Sequence, residues 1–160
     1  MGEIWVKSGL VTKGYWNKPA ATAEAITPDG WLRTGDAAYQ DEAGNVYIVD
    51  RFKDMIVSGG ENVYPAEVEN VLYDHPAIAE VAVIGVPSKR WGETVKAIVV
   101  LGCGQQLRAN ELIKFARTRL GKYKCPTSVE FVDTLPRNAS GKVLKRELRQ
   151  AYGAVEADEN

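Results

Sequence analysis

Four short segments of this chain carry residues with chemistry to offer. Leu135-Pro136-Arg137-Asn138-Ala139-Ser140-Gly141-Lys142 is a polar, glycine-containing loop between a strand-like and a helix-like run. The Lys142 ammonium on such a loop can reach a phosphate and neutralise charge that develops in acyl or phosphoryl transfer. Taken alone, a Gly-Lys pair is more often an ordinary surface loop, and the upstream glycine of a phosphate-binding P-loop is absent. In Trp31-Leu32-Arg33-Thr34-Gly35-Asp36, a carboxylate just after a glycine turn can accept hydrogen bonds from both hydroxyls of a ribose, or else satisfy its own turn backbone. In Asp50-Arg51-Phe52-Lys53-Asp54, Arg51 can fork onto a phosphate or ribose, or pair with Asp50 or Asp54. In Ser58-Gly59-Gly60-Glu61, the two glycines allow close approach of a ligand to the backbone, or simply make a tight turn.

The elements that must position these residues follow from hydrophobic period and punctuation. Glu3 to Lys7 alternates polar and apolar residues and reads as a strand. Thr22 to Ile26 fits a short helix, and turns at Asn17-Lys18-Pro19, Pro28-Asp29-Gly30 and Asp41–Asn45 precede a strand over Val46 to Val49. Character changes at Asp50 to Asp54, a charged stretch suited to a domain boundary. Beyond it, Met55–Val57 and Glu61–Val63 flank the glycines as a hairpin. Pro65 suits the first turn of a helix striped by Val68, Val71 and Leu72. Strands are expected over Ile78 to Val86, Thr94 to Leu101 and Val129 to Val132, with Pro87 to Gly92 as a turn. Helices are striped by Leu112, Ile113, Ala116 and Leu120, and by Leu144, Leu148 and Tyr152. The expected class is α+β: residues 51–152 form a small domain, a β-hairpin and a three-stranded sheet packed by helices. Residues 1–50 form a β-rich fragment of something larger, opening on a strand already under way after an added or internal Met1. Residues 153–160 are an acidic, disordered tail.

Composition narrows the function classes. The chain has 160 residues, 45% hydrophobic and 26% charged, with a formal net charge of -1. No global basic field draws it to nucleic acid or anionic lipid, and the late run Lys145, Arg146 and Arg149 fits a solvated helix face. Cys103 and Cys125 lack metal-ligand spacing and are expected to be buried or half-buried thiols. With His75 the only histidine, beside Pro76 at a helix end, no metal site is expected. There is no membrane-length apolar run and no signal-peptide pattern, and a cytoplasmic location is the expectation.

In combination the four segments are more specific. Thr34-Gly35-Asp36, Asp50-Arg51-x-Lys53-Asp54, Ser58-Gly59-Gly60-Glu61-Asn62-x-x-Pro65-x-Glu67-x-Glu69 and Pro136-Arg137-Asn138-x-x-Gly141-Lys142, in this order, resemble the C-terminal motifs of the AMP-forming adenylate-forming superfamily. Its members include acyl-CoA synthetases, nonribosomal peptide synthetase adenylation domains and firefly-type luciferases. The resemblance runs from Gly2 to about Tyr152, and Ser58 to Pro65 looks most like the fatty acyl-CoA synthetases.

The resemblance implies an enzyme that forms an acyl-adenylate from ATP and a carboxylic acid, most readily a fatty acid. Coenzyme A then takes the acyl group as a thioester, and the small domain rotates between the two steps. Carried over by position, Lys142 is catalytic in adenylation, and Asp36, Arg51 and Lys142 bind ATP or AMP, with Trp31 supporting the nucleotide or acyl side. Lys53 is the hinge, and Ser58, Gly59 and Gly60 line the path of coenzyme A. Lys122 and Lys124 are candidates for its phosphates on charge alone, with solvated lysines an equal reading. The phosphate loop, acyl pocket and Mg2+ ligands are expected in an N-terminal domain, and this chain alone is expected to be inactive. Val57 stands where many members carry lysine, and no arginine matches the one some members place near Asn62. An aryl or other carboxylic-acid ligase, or a non-catalytic module that keeps the fold, are the competing readings.

Overall fold

The computed structural model describes residues 1–153 and divides the chain into two compact units, one over Met1–Lys53 and one from Asp54 onward. The expected disordered tail lies, apart from Gly153, outside the described residues.

The first unit is a three-stranded antiparallel sheet in the order β1-β2-β3, built from β1 (Gly2–Val6), β2 (Leu32–Gln40) and β3 (Val46–Arg51). Helix α1 (Pro19–Ala25) lies between β1 and β2 in the chain and opens on a proline, whose fixed φ suits a first helical turn. Strand β2 is nine residues long and runs through Thr34-Gly35-Asp36, so Asp36 lies within a strand and does not follow a glycine turn. The polar residues Arg33, Thr34 and Asp36 conceal that strand in the sequence. Only Ala37 and Ala38 are buried apolar residues of this unit among those described, whereas Leu10, Trp16 and Ile48 are exposed.

The second unit is an α+β fold around one five-stranded sheet. Its strands are β4 (Ile56–Ser58), β5 (Glu61–Val63), β6 (Ile78–Ser88), β7 (Gly92–Leu101) and β8 (Ser128–Phe131). The β6–β7 pair is its spine, in antiparallel register from Ile78↔Leu101 to Ser88↔Gly92. Pro87 therefore belongs to a strand, opposite Glu93, and not to the turn expected over Pro87 to Gly92. The β4–β5 hairpin meets β7 at Ser58↔Gly92, and β8 runs parallel to β7 from Lys96↔Ser128 to Val99↔Phe131. Hairpin and three strands thus share a single sheet.

Both faces of that sheet are covered, which is why β6 reads as nearly continuous apolar sequence. Val83, Val95, Ala97 and Val99 point to a core shared with Val68 and Leu72 of α2 (Pro65–Tyr73) and Leu112 and Ala116 of α3 (Ala109–Arg117). Ala82, Ile84, Val86 and Ile98 point the other way, against Leu135 and Leu148 of α4 (Lys145–Tyr152). The alternation is the period of two of a pleated strand. Side chains tie the helices to the sheet as well: Val83 N–H donates to Glu69 Oε1 at 2.8 Å, and Lys145 Nζ meets the same carboxylate at 2.8 Å. Arg149 of α4 pairs with Asp54 at 2.8 Å, fixing the last helix to the first residue of the unit.

Cys125 is buried as expected, but Cys103 is exposed, because it sits in the turn after β7 rather than on a strand face. His75 follows the end of α2; its Nδ1 accepts from Ala77 N–H at 3.2 Å and its ring meets Phe115 edge-on. No helix among the described residues is long and apolar enough to cross a membrane, and no cluster of three His, Cys, Asp or Glu there could hold a metal ion.

Candidate functional site

Asp36 and Arg51 are brought together by the register of the first unit, where they stand opposite each other on β2 and β3. Arg51 Nε lies 3.0 Å from Asp36 Oδ1 and Nη2 donates to Thr34 O at 3.2 Å. The partner of Arg51 is therefore Asp36, neither Asp50 nor Asp54. Asp50 instead receives the Arg51 backbone N–H at 2.7 Å, and Asp54 holds Arg149. The cross-strand pair presents a carboxylate and a guanidinium side by side, a combination that can meet ribose hydroxyls and phosphate. Trp31 precedes the same strand, 37% exposed, with Lys7 Nζ 5.8 Å from its ring centroid. Lys53 is exposed in a single 3-10 turn over Phe52–Asp54, where the two units divide.

Lys142 stands on a tightly bonded turn. Arg137 and Val143 pair as an isolated bridge, and Asn138 N–H donates to Lys142 O at 2.9 Å. Asn138 Oδ1 accepts from Ser140 N–H, Ser140 Oγ and Lys142 N–H at 3.0, 2.8 and 2.9 Å. Gly141 has φ +82°, the left-handed conformation that glycine adopts without strain, and this lets the turn close. Lys142 is exposed, and its ammonium has no carboxylate within ion-pair distance among the described residues. The turn is fixed while the charge is free, which is what electrostatic stabilisation of a transient anion requires.

Ser58, Gly59 and Lys122 border one cleft of about 470 Å3, whose other walls include Trp91, Thr94, Arg117 and Tyr123. Gly59 and Gly60 form a two-residue hairpin turn with φ +60° and +86°, the geometry that matches strand twist. Gly59 N–H donates to Trp91 O at 2.9 Å, and a Cβ at Gly59 would lie 2.9 Å from Trp91 Cε3. The indole thus lies on the glycine and lines the cleft beside it. Thr94 Oγ1 is buried without a hydrogen-bond partner among the described residues. Cys125 also lines the cleft, but burial pushes its thiol up from the ordinary value, so the sulfur is not an activated nucleophile. Its S–H points to Gly121 O at 3.4 Å.

Two of the expected residues stand apart from this cleft. Lys124 Nζ lies 2.7 Å from both oxygens of Glu67, so its charge is already matched inside the fold. Gly60 does not line the cleft. Conversely, Trp91, Thr94, Arg117 and Tyr123 are cleft residues that the motifs did not single out. The signal for Trp91 was a tryptophan directly after the basic pair Lys89-Arg90, at the junction of two apolar strands.

Residues 67–142 match the AMP-binding enzyme C-terminal domain family. A feruloyl-CoA synthase from Amycolatopsis sp is 55% identical over 152 residues, which are 95% of this chain and 31% of that protein. A long-chain-fatty-acid–CoA ligase from Bacillus subtilis is 56% identical over 147 residues, 92% of this chain and 26% of that protein. The crystal structure of ATP-bound MatB from Rhodopseudomonas palustris superposes with a TM-score of 0.88 at 42% identity, covering 96% of this chain and 30% of that one. The chain therefore spans less than a third of the length of each of these relatives.

Proposed function

Because the chain belongs to the AMP-forming adenylate-forming superfamily, through its AMP-binding enzyme C-terminal domain, we propose that it is the C-terminal part of an ATP-dependent acid–CoA ligase. The observation that carries this reading is that one small unit bears two separate constellations. One is an exposed Lys142 on a fixed turn, with no ion-pair partner among the described residues. The other is a cleft with an apolar lining, an orphaned Thr94 hydroxyl and the cations Arg117 and Lys122. Two chemistries served by one domain call for two poses.

In the first half-reaction a carboxylate oxygen of the acid attacks the α-phosphorus of ATP, and the bond to pyrophosphate breaks. Lys142 neutralises charge spreading over the α-phosphate and the attacking carboxylate. Asp36 and Arg51 hold the ribose and phosphate of the nucleotide, with Trp31 beside them. In the second half-reaction the coenzyme A sulfur, its proton lost, attacks the acyl carbon and AMP leaves. Ser58 and Gly59 line the pantetheine path, and Lys122, with Arg117, meets phosphate. Lys124, matched to Glu67, contributes to the fold instead. Lys53 is the hinge on which the unit turns between the two steps, a reading supported by the division of the chain just after it. Residues 1–50 are the end of the large N-terminal domain in this account, and that domain supplies the acyl pocket and the Mg2+ ligands.

A fatty acid is the proposed substrate, on the likeness of Ser58 to Pro65 to fatty acyl-CoA synthetases. An aryl acid is the second reading, favoured by the feruloyl-CoA synthase relative. The full-length protein, supplied with ATP, coenzyme A and either long-chain fatty acids or hydroxycinnamic acids, is expected to form acyl-CoA from the fatty acids. Turnover of the hydroxycinnamates alone overturns the substrate assignment, and turnover of neither favours a non-catalytic module. The 160-residue chain by itself is expected to form no acyl-CoA in the same assay.

A further inference from the structure

Arg137 sits in the Lys142 loop, yet nothing above gives its side chain a task. Its guanidinium makes two contacts at once. Nη2 pairs with Glu80 of β6, and Nη1 donates to Gly141 O at 2.6 Å. The peptide that carries this carbonyl also carries the Lys142 N–H, which Asn138 Oδ1 accepts at 2.9 Å. The single peptide plane that sets the direction of the Lys142 side chain is thus held at both ends, its oxygen by Arg137 and its nitrogen by Asn138. Such holding is needed there. Gly141 is in the left-handed region, and a Cβ built on it would touch nothing within 4 Å, so no side-chain packing at Gly141 holds that plane and its hydrogen bonds must. The anchor is firm, because β6 pairs with β7 along its length and carries the run Ala82 to Val86 buried on both faces.

We propose that Arg137, braced by Glu80, is a positioning residue for adenylation: it fixes the Gly141–Lys142 peptide so that the Lys142 ammonium is presented in one direction. The proposal rests on the reading of Lys142 as the adenylation lysine. The pair itself is half exposed, 44% at Arg137 and 39% at Glu80, and a surface ion pair adds little to stability. Its effect therefore belongs in the rate of one step and not in the folding of the domain. Misplacing a catalytic group by about 1 Å costs up to roughly 100-fold.

The test uses the full-length protein and measures acid-dependent ATP–pyrophosphate exchange beside thioester formation from supplied acyl-adenylate. Arg137→Met is expected to lower the kcat of exchange about 10- to 100-fold with KM for ATP within about twofold, leaving thioester formation unchanged. Glu80→Gln keeps an acceptor for the guanidinium and should lose less. Arg137→Lys, which cannot fork to both acceptors, should recover part of the loss. Amide hydrogen exchange should speed up at Lys142 in Arg137→Met but not at Val83. Unchanged exchange kinetics, a rise in KM alone, or equal loss in both half-reactions would each overturn the positioning role. Lys142→Ala, assayed alongside, separates the two levels. If it leaves pyrophosphate exchange intact, the premise falls and the positioning role with it. If it abolishes exchange while Arg137→Met does not reduce it, the positioning role alone falls.

Discussion

Lys122 and Lys124 stand two residues apart in one 3-10 turn, yet they face opposite circumstances. Lys122 borders the cleft, while Lys124 is held by both oxygens of Glu67, 57 residues away in sequence. Its hydrogen bonds to Glu67 raise the Lys124 pKa above the ordinary 10.5 despite partial burial. A pKa raised on folding adds stability that is fully present below the unfolded value and is lost as pH climbs through the folded one. The melting temperature of the wild-type chain should therefore exceed that of Glu67→Gln by a constant margin from neutral pH to about pH 10, and the margin should shrink above the ordinary lysine value. A margin that stays constant through strongly alkaline pH would contradict the pairing. At this scale the order of the short segments singles out Asp36, Arg51, Ser58, Gly59 and Lys142 in the sequence, and the structure brings Asp36 to Arg51 and sets Ser58 and Gly59 on one cleft. The partner of a lysine was not legible, because Glu67 reaches Lys124 only through the packing of α2 against the end of α3 and the turn that follows. The exposure of Cys103 was hidden for a similar reason. Cys103 lies two residues beyond the apolar end of β7, between Gly102 and Gly104, and the point where the strand stops is set by its pairing partners rather than by the local pattern.

Among the elements, the glycine hairpin is the one whose geometry bears most directly on the cleft. Gly59→Ala puts a side chain on a backbone at φ +60°, costing about 1–2 kcal/mol, and drives its Cβ into the Trp91 ring. Denaturant titration should register that loss. The KM for coenzyme A should rise in the full-length protein, and pyrophosphate exchange should change less. An unaltered coenzyme A dependence would sever the hairpin from the thioester step. This hairpin was legible because two adjacent glycines between the run Met55–Val57 and the short segment Glu61–Val63 leave few alternatives. Strand β2 was not, since its exposed and polar residues break the alternation that marks a half-buried strand. The union of the hairpin, β8 and the β6–β7 pair in one sheet was also out of reach. Both β4 and β8 pair with the same edge of β7, and pairings so distant in sequence are fixed by tertiary packing rather than by local pattern.

On the scale of the whole molecule, the two units differ in how well each is filled. The second unit has apolar cores on both faces of its sheet, while the first buries only Ala37 and Ala38 among its described apolar residues and exposes Leu10, Trp16 and Ile48. That difference in filling suits the proposed role of residues 1–50 as the end of a larger domain. It agrees with an account in which the activity belongs to a longer chain and the small unit serves it twice. The central claim of that account is the division of labour between the Lys142 turn and the hairpin cleft. Lys142→Ala in the full-length protein tests it most directly, with acid-dependent ATP–pyrophosphate exchange measured beside thioester formation from supplied acyl-adenylate. Exchange is expected to fall about 100- to 1,000-fold, by analogy with removal of an oxyanion donor, while thioester formation is largely spared. Equal loss of both half-reactions would contradict the two-pose assignment.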